Sequence, residues 1–243
     1  MDEPAYLDRG DGRRIAYRYR AGLGPALLFL PGYASDMEGG KATALDAWAA
    51  RHGRAMLRFD YAGTGASPGP FEAQTLAGWR DDALALVDAS QGDLVLVGSS
   101  MGGWLMLLVA LARPERVRAL IGIAAAPDFT DWGFAQDEKM TILRDGRLEK
   151  TSAYGTEVTS KAFWQSGEAL RLMHAPIAID APLRLLHGES DDVVPIWVAQ
   201  RLAALVRSAD VQTLLLKGGD HRLSRPQDLL VLERTVAALM EDL

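Results

Sequence analysis

One stretch limits the fold more than any other: Leu94-Val-Leu-Val97, then Gly98-Ser99-Ser100-Met101-Gly102, then Trp104 to Ala112. Four apolar residues without polar alternation read as a strand covered on both faces, the situation of a central strand in a parallel sheet. The run Trp104 to Ala112 is apolar all round, and a helix with no polar face belongs in a domain interior. Gly98 and Gly102 flank Ser100 in the pattern G-x-S-x-G, where side chains would collide with the neighbouring strand and helix. Such a turn holds its serine strained and exposed at a helix N-terminus, where unpaired N–H groups and the dipole favour developing negative charge. Ser99 has Val97 and Met101 two residues away instead of glycine, so Ser100 is the candidate nucleophile.

The same rhythm runs through most of the chain. Strands are expected near Tyr6, over Arg14 to Arg20, Ala26 to Leu30, Ala55 to Phe59, Leu94 to Val97, Val117 to Ala125, Leu183 to Leu186 and Val211 to Leu216. The first two are joined through Gly10-Asp11-Gly12, a hairpin signal. Helical spacing marks Ala42 to Arg51, Leu76 to Ala89, Pro195 to Val206 and Pro226 to Met240, the last opened by a capping-box pattern in Ser224-Arg-Pro-Gln227. Strands alternating with helices predict an α/β fold: a mostly parallel sheet wrapped by helices. With no repeat or linker, residues 1–243 are expected to form one domain. Between Pro127 and Ala181 the alternation stops for far longer than the ~2–6 residues of an ordinary connection. This segment is rich in aromatics (Phe129, Trp132, Phe134, Tyr154, Phe163, Trp164), with helical spacing from Ala162 to Met173. It is expected to be a helical lid over residues 128–180.

Composition removes several functions. The chain has 26 basic and 32 acidic side chains and a net charge of −6, so it lacks the broad basic surface that neutralises a phosphate backbone, and nucleic acid is not an expected partner. It has no cysteine, hence no disulfide, thiolate nucleophile or cysteine-held metal. No P-loop, HExxH or acidic metal cluster appears, and Gly63-Thr-Gly65 lacks the third glycine of a dinucleotide fingerprint. No metal or cofactor is expected. The longest apolar run is much shorter than the ~20 residues of a membrane span, and the N-terminal residues carry no signal-like apolar stretch. The expected address is therefore the cytoplasm, and the expected state a monomer or weak homo-oligomer.

A serine hydroxyl attacks poorly without a base, and the base needs an orienting carboxylate. Of the 4 histidines, only His221 follows every candidate acid, in the polar loop Gly218-Gly-Asp-His-Arg222. His52 reads as a helix-end residue, His174 lies in the lid segment, and His187 closes a strand. The acid is sought in His187-Gly-Glu-Ser-Asp-Asp-Val-Val-Pro195. Adjacent residues there point to opposite sides, so only one of Asp191 and Asp192 can face His221, with Glu189 and Asp220 as weaker alternatives. The N–H groups of Met101 and Tyr33 are the expected oxyanion donors. Asp60 to Ser67 reads as a structural turn beside the site.

These residues resemble the α/β-hydrolase superfamily and, within it, a branch of palmitoyl-protein thioesterases and acyl-glucuronide esterases. The likeness runs over most of Leu28 to Leu232. It rests on Leu30-Pro-Gly-Tyr33, Arg58-Phe-Asp-Tyr61, Val97-Gly-Ser-Ser100, Gly102-Gly-Trp-Leu-Met106, Arg184-Leu-Leu-His-Gly188, Asp191-Asp192 and Asp220-His-Arg222. It implies an α/β-hydrolase fold, mostly parallel and eight-stranded, with Ser100 as nucleophile, Asp191 as acid and His221 as base. The expected activity is hydrolysis of acyl esters or thioesters, with Trp104, Trp132, Phe134 and Trp164 as candidate contacts to an acyl chain. Alternatives are a small-ester carboxylesterase and a low-turnover, hydrolase-like binding protein.

Overall fold

The computed structural model describes residues 3–152, 155–241 and 243. Eight strands form one sheet: β1 (Ala5–Asp8), β2 (Arg14–Arg20), β3 (Leu23–Leu30), β4 (Arg54–Phe59), β5 (Leu94–Ser99), β6 (Val117–Ile123), β9 (Leu183–Gly188) and β10 (Val211–Leu216). Their order is β1-β2-β4-β3-β5-β6-β9-β10. β1 and β2 are antiparallel to their neighbours, and all pairs from β4 through β10 are parallel. This is the expected α/β-hydrolase architecture.

Period-two alternation sorts the central strands between two cores. Leu94 and Leu96 of β5 face one side, with Trp79 and Leu86 of α2 (Leu76–Ala89) and most of α3 (Met101–Ala112). Val95 and Val97 face the other, with Leu45 and Trp48 of α1 (Gly40–Arg51) and Leu232 and Val236 of α8 (Pro226–Glu241). Burial on both faces is why these strands read as continuous apolar runs. Helix α7 spans Ile196–Leu205, with Pro195 and Val206 as its caps. Thr75 caps α2 by accepting from the Gly78 N–H at 3.0 Å. At α8 the expected cap from Ser224 is not formed. Asp228 accepts from the Arg225 N–H at 3.2 Å and also pairs with the Arg225 guanidinium. A carboxylate that closes the turn and neutralises a cation there offers more than the Ser224–Gln227 pair.

The segment between β6 and β9 differs from the expected helical lid. It contains α4 (Phe129–Trp132), α5 (Gln136–Asp145), a hairpin of β7 (Arg147–Ser152) and β8 (Gly155–Ser160), and α6 (Lys161–Ala169). Tyr154, one of the aromatic residues noted above, lies outside the described residues. The hairpin carries almost no alternation of apolar and polar residues, so no strand signal was available to read. Helix α6 stops short of Met173 because the next amides bond elsewhere. The Leu172 and Met173 N–H groups donate to the buried carboxylate of Asp128 at 2.8 and 2.7 Å. The Trp104 indole N–H to Leu170 O (3.2 Å) and the Ala77 N–H to Ser166 Oγ (2.9 Å) also bind the segment to the body.

Candidate active site

The candidate nucleophile, acid and base all stand at the carboxyl ends of parallel strands. Ser100 lies between β5 and α3 with φ 53° and ψ −120°, a conformation L-residues rarely adopt. A Cβ at Gly98 would run into the Gly102 carbonyl, and one at Gly102 into Leu30 O. Only glycine permits so close an approach of strand, turn and helix. The turn is held by its own backbone: Ser100 N–H donates to Ile123 O at 2.9 Å, and Ser100 O accepts from Gly103 and Ala126 N–H at 2.9 and 3.0 Å.

His221, in the loop after β10, has Nε2 at 3.1 Å from Ser100 Oγ and Nδ1 at 3.0 Å from Asp191 Oδ2. The Asp191 carboxylate is 1% exposed, and its other oxygen accepts from the Val193 and Val194 N–H groups at 2.9 and 2.8 Å. Burial alone would raise its pKa. The hydrogen bonds from His221, Val194 and Val193 outweigh that and hold it below the ordinary carboxylate value. An ionised Asp191 only accepts, so Nδ1 carries the proton and Nε2 is left to accept from the serine hydroxyl. Asp192 is exposed, as is Glu189, while Asp220 accepts within its own loop from Leu223 N–H at 3.0 Å. His187 is buried, with Nε2 at 2.9 Å from Val194 O, and supports the turn carrying Asp191. His52 stacks on Trp48 at the end of α1.

The loop after β3 presses on this turn: a Cβ at Gly32 would come within 3.3 Å of Ser100 Cβ. Among the described residues, neither the Tyr33 nor the Met101 N–H has a protein acceptor. Sequence reasoning missed how this loop is braced. The Met37 peptide is gripped at both ends, its N–H by Asp60 Oδ1 at 2.6 Å and its carbonyl by Arg58 Nη1 at 2.9 Å. Asp60 Oδ2 also accepts from Ala66 N–H at 2.8 Å, which closes the Asp60 to Ser67 turn. The Arg58-Phe-Asp60 triplet was the available signal, but the partner loop lies far back in the chain. Lys41 was also missed. It donates to Arg222 O at 2.5 Å beside His221, and burial pushes its pKa down to about 8.

The four aromatic candidates separate. Trp104 has no exposed surface and packs edge-on against Phe129 at 5.8 Å, so it is a core residue and not an open wall of a pocket. Phe134 lies tilted against Phe129 at 6.3 Å between ring centroids, and Trp164 donates to Thr130 O at 2.9 Å inside the inserted segment. Trp132 borders a surface cleft with Arg171, His174 and Trp197.

Residues 27–232 match the alpha/beta hydrolase family. The chain belongs to that family. It is a hydrolase, and relatives of the hydrolase extend over nearly its whole length. The human palmitoyl-protein thioesterase ABHD10, mitochondrial, is 40% identical over 98% of this chain and 80% of its own. The structure of mouse alpha/beta hydrolase domain-containing protein 10 superposes with a TM-score of 0.93 at 36% identity, covering 99% of each chain. A putative hydrolase from Agrobacterium vitis gives 0.92 at 35% identity over 98% of each. The mammalian relatives all bear mitochondrial names, which overturns the expected cytoplasmic address. Absence of cysteine is compatible with more than one compartment, so composition had no power to choose. Among the described residues, no helix is long and apolar enough to cross a membrane.

Proposed function

We propose that this hydrolase cleaves acyl thioesters and esters through an acyl-enzyme on Ser100. The observation that carries this reading is the continuous hydrogen-bonded line Ser100–His221–Asp191, at 3.1 and 3.0 Å, beside two unengaged amides. His221 Nε2 takes the hydroxyl proton as Oγ attacks the acyl carbonyl. Asp191 fixes the ring's tautomer and stabilises the imidazolium that forms. The Met101 and Tyr33 N–H groups hold the tetrahedral oxyanion, each worth about 3 kcal/mol in the transition state. The imidazolium protonates the departing thiol or alcohol; the neutral ring that remains takes a proton from the attacking water and passes it to Ser100 Oγ as the acyl–oxygen bond breaks and the acid leaves.

Likeness to a palmitoyl-protein thioesterase supports a long acyl chain on a thioester, with residues 128–180 serving as the cap over it. One observation favours the small-ester reading instead. Tyr33, Phe71 and Trp79 of the body pack with Phe129 and Phe163 of the inserted segment, with Tyr33 centroid distances of 5.0 to 6.3 Å to the other four. The test of the chemistry is labelling by a fluorophosphonate. Wild type is expected to be labelled and Ser100→Ala to be blank, whereas undiminished labelling of the variant removes Ser100 from the mechanism.

A further inference from the structure

Tyr33 touches both the candidate oxyanion site and the inserted segment. On the backbone side, its N–H is free and the preceding Gly32 is packed on Ser100. The following residue, Ala34, has φ 52°, a left-handed conformation that a non-glycine residue keeps only where its surroundings enforce it. On the side-chain side, the ring makes edge contacts with two residues of the body, Phe71 at 5.3 Å and Trp79 at 5.7 Å. It makes two more with the inserted segment, Phe163 at 5.0 Å and Phe129 at 6.3 Å. Its hydroxyl donates to Val158 O on β8 at 2.5 Å. Burial raises the phenol's pKa far above its ordinary value, so the group stays a donor throughout the working pH range.

We infer that the Tyr33 side chain is a positioning residue that ties closure of the β7–β8 hairpin to alignment of the oxyanion site. The inference rests on the reading of the Tyr33 N–H as an oxyanion donor. With the hairpin seated, the hydroxyl has its acceptor, the ring has all four aromatic partners, and the Tyr33 peptide is fixed from the side-chain end. With the hairpin lifted, the phenol loses its acceptor, while the ring keeps Phe71 and Trp79 on the body and Phe129 and Phe163 on α4 and α6. The same residue's amide then loses the restraint that the hydroxyl supplied. Substrate enters when the hairpin is away, and chemistry runs when it returns, because a fixed donor stabilises the tetrahedral oxygen and a wandering one does not.

Tyr33→Phe keeps the ring and removes only the hydroxyl. The expected result with a short soluble p-nitrophenyl ester is a kcat lower by about 10-fold, on the scale of a partly lost oxyanion contact, with KM almost unchanged. The rate of fluorophosphonate labelling at Ser100 falls by a similar factor, and hydrogen exchange over residues 147–160 speeds up. A purely structural hydroxyl predicts a lower Tm with kcat per folded molecule intact, and that result overturns the inference. A second variant replaces residues 147–160 with a short Gly-Ser connection. It should lose a similar factor in kcat, and combining it with Tyr33→Phe should cost little more, since both break one link. Losses that multiply independently overturn the link. Wild-type enzyme that is not labelled at Ser100 overturns the functional reading itself, whereas normal wild-type labelling with unchanged Tyr33→Phe kinetics overturns the latch alone.

Discussion

Asp191 divides its carboxylate between two tasks. One oxygen receives the His221 ring and the other caps the turn at Val193 and Val194. Asp191→Asn keeps an acceptor for the turn but presents the wrong partner to Nδ1, and kcat is expected to fall by roughly 10³–10⁴-fold with Ser100 still in place. Its pKa is lower folded than unfolded, so the ionised carboxylate stabilises the fold above the ordinary carboxylate pKa of about 4 and loses that contribution as pH falls below it. Thermal melts of wild type and Asp191→Asn should therefore differ by a constant gap from pH 5 to 8 that closes on further acidification. A gap that widens in acid contradicts this assignment. Gly102→Ala should abolish folding, because its methyl group would occupy the space of the Leu30 carbonyl. The candidates Ser100 and His221 were legible in the sequence because turn chemistry, strand alternation and chain order act locally or in order along the chain, whereas the preference for Asp191 over Asp192 came from the resemblance. The grip of Asp60 and Arg58 on Met37 was not, since it depends on which loop the sheet order brings beside β4.

At the scale of elements, strands buried on both faces declared themselves as apolar runs and were found where expected. Their ends differ from expectation: β3 begins at Leu23 and β5 runs on to Ser99, whereas β6 stops at Ile123, short of Ala125. The β7–β8 hairpin was invisible because its strands are mostly polar and exposed, held by pairing with each other, by the ion pairs Arg147–Glu72 and Lys150–Glu138, and by the Tyr33 contact. Asp128 shows how the inserted segment is pinned. It sits at φ 58°, and its buried carboxyl takes both the Leu172 and Met173 amides, although burial raises its pKa. Asp128→Leu strands two buried donors, at about 1–3 kcal/mol each. It should lower Tm and accelerate hydrogen exchange across residues 128–173. Asp128→Asn tolerates the left-handed backbone and keeps one acceptor, and should cost markedly less. Equal losses for the two would show that the carboxylate's bonds are not what holds the segment.

At the scale of the molecule, the site exists only as a product of sheet order. The loops after β3, β5, β9 and β10 meet because parallel strands set all four ends at one edge of the sheet. Chain order named the residues, but only the assembled sheet brings them within hydrogen-bonding distance. Acyl preference is a property of the whole, since body and inserted segment both contribute to the aromatic cluster around Tyr33. Rates across thioesters from butyryl to palmitoyl should rise with chain length, and a steady fall beyond butyryl would favour the small-ester reading. The most direct test of chemistry at Ser100 is rapid quenching of turnover on a p-nitrophenyl ester, followed by mass mapping of the acylated peptide. Hydrolysis through an acyl-enzyme predicts an acyl group on Ser100 in wild type and neither adduct nor turnover in Ser100→Ala. An acyl group found on another residue, or wild-type turnover by Ser100→Ala, would contradict it.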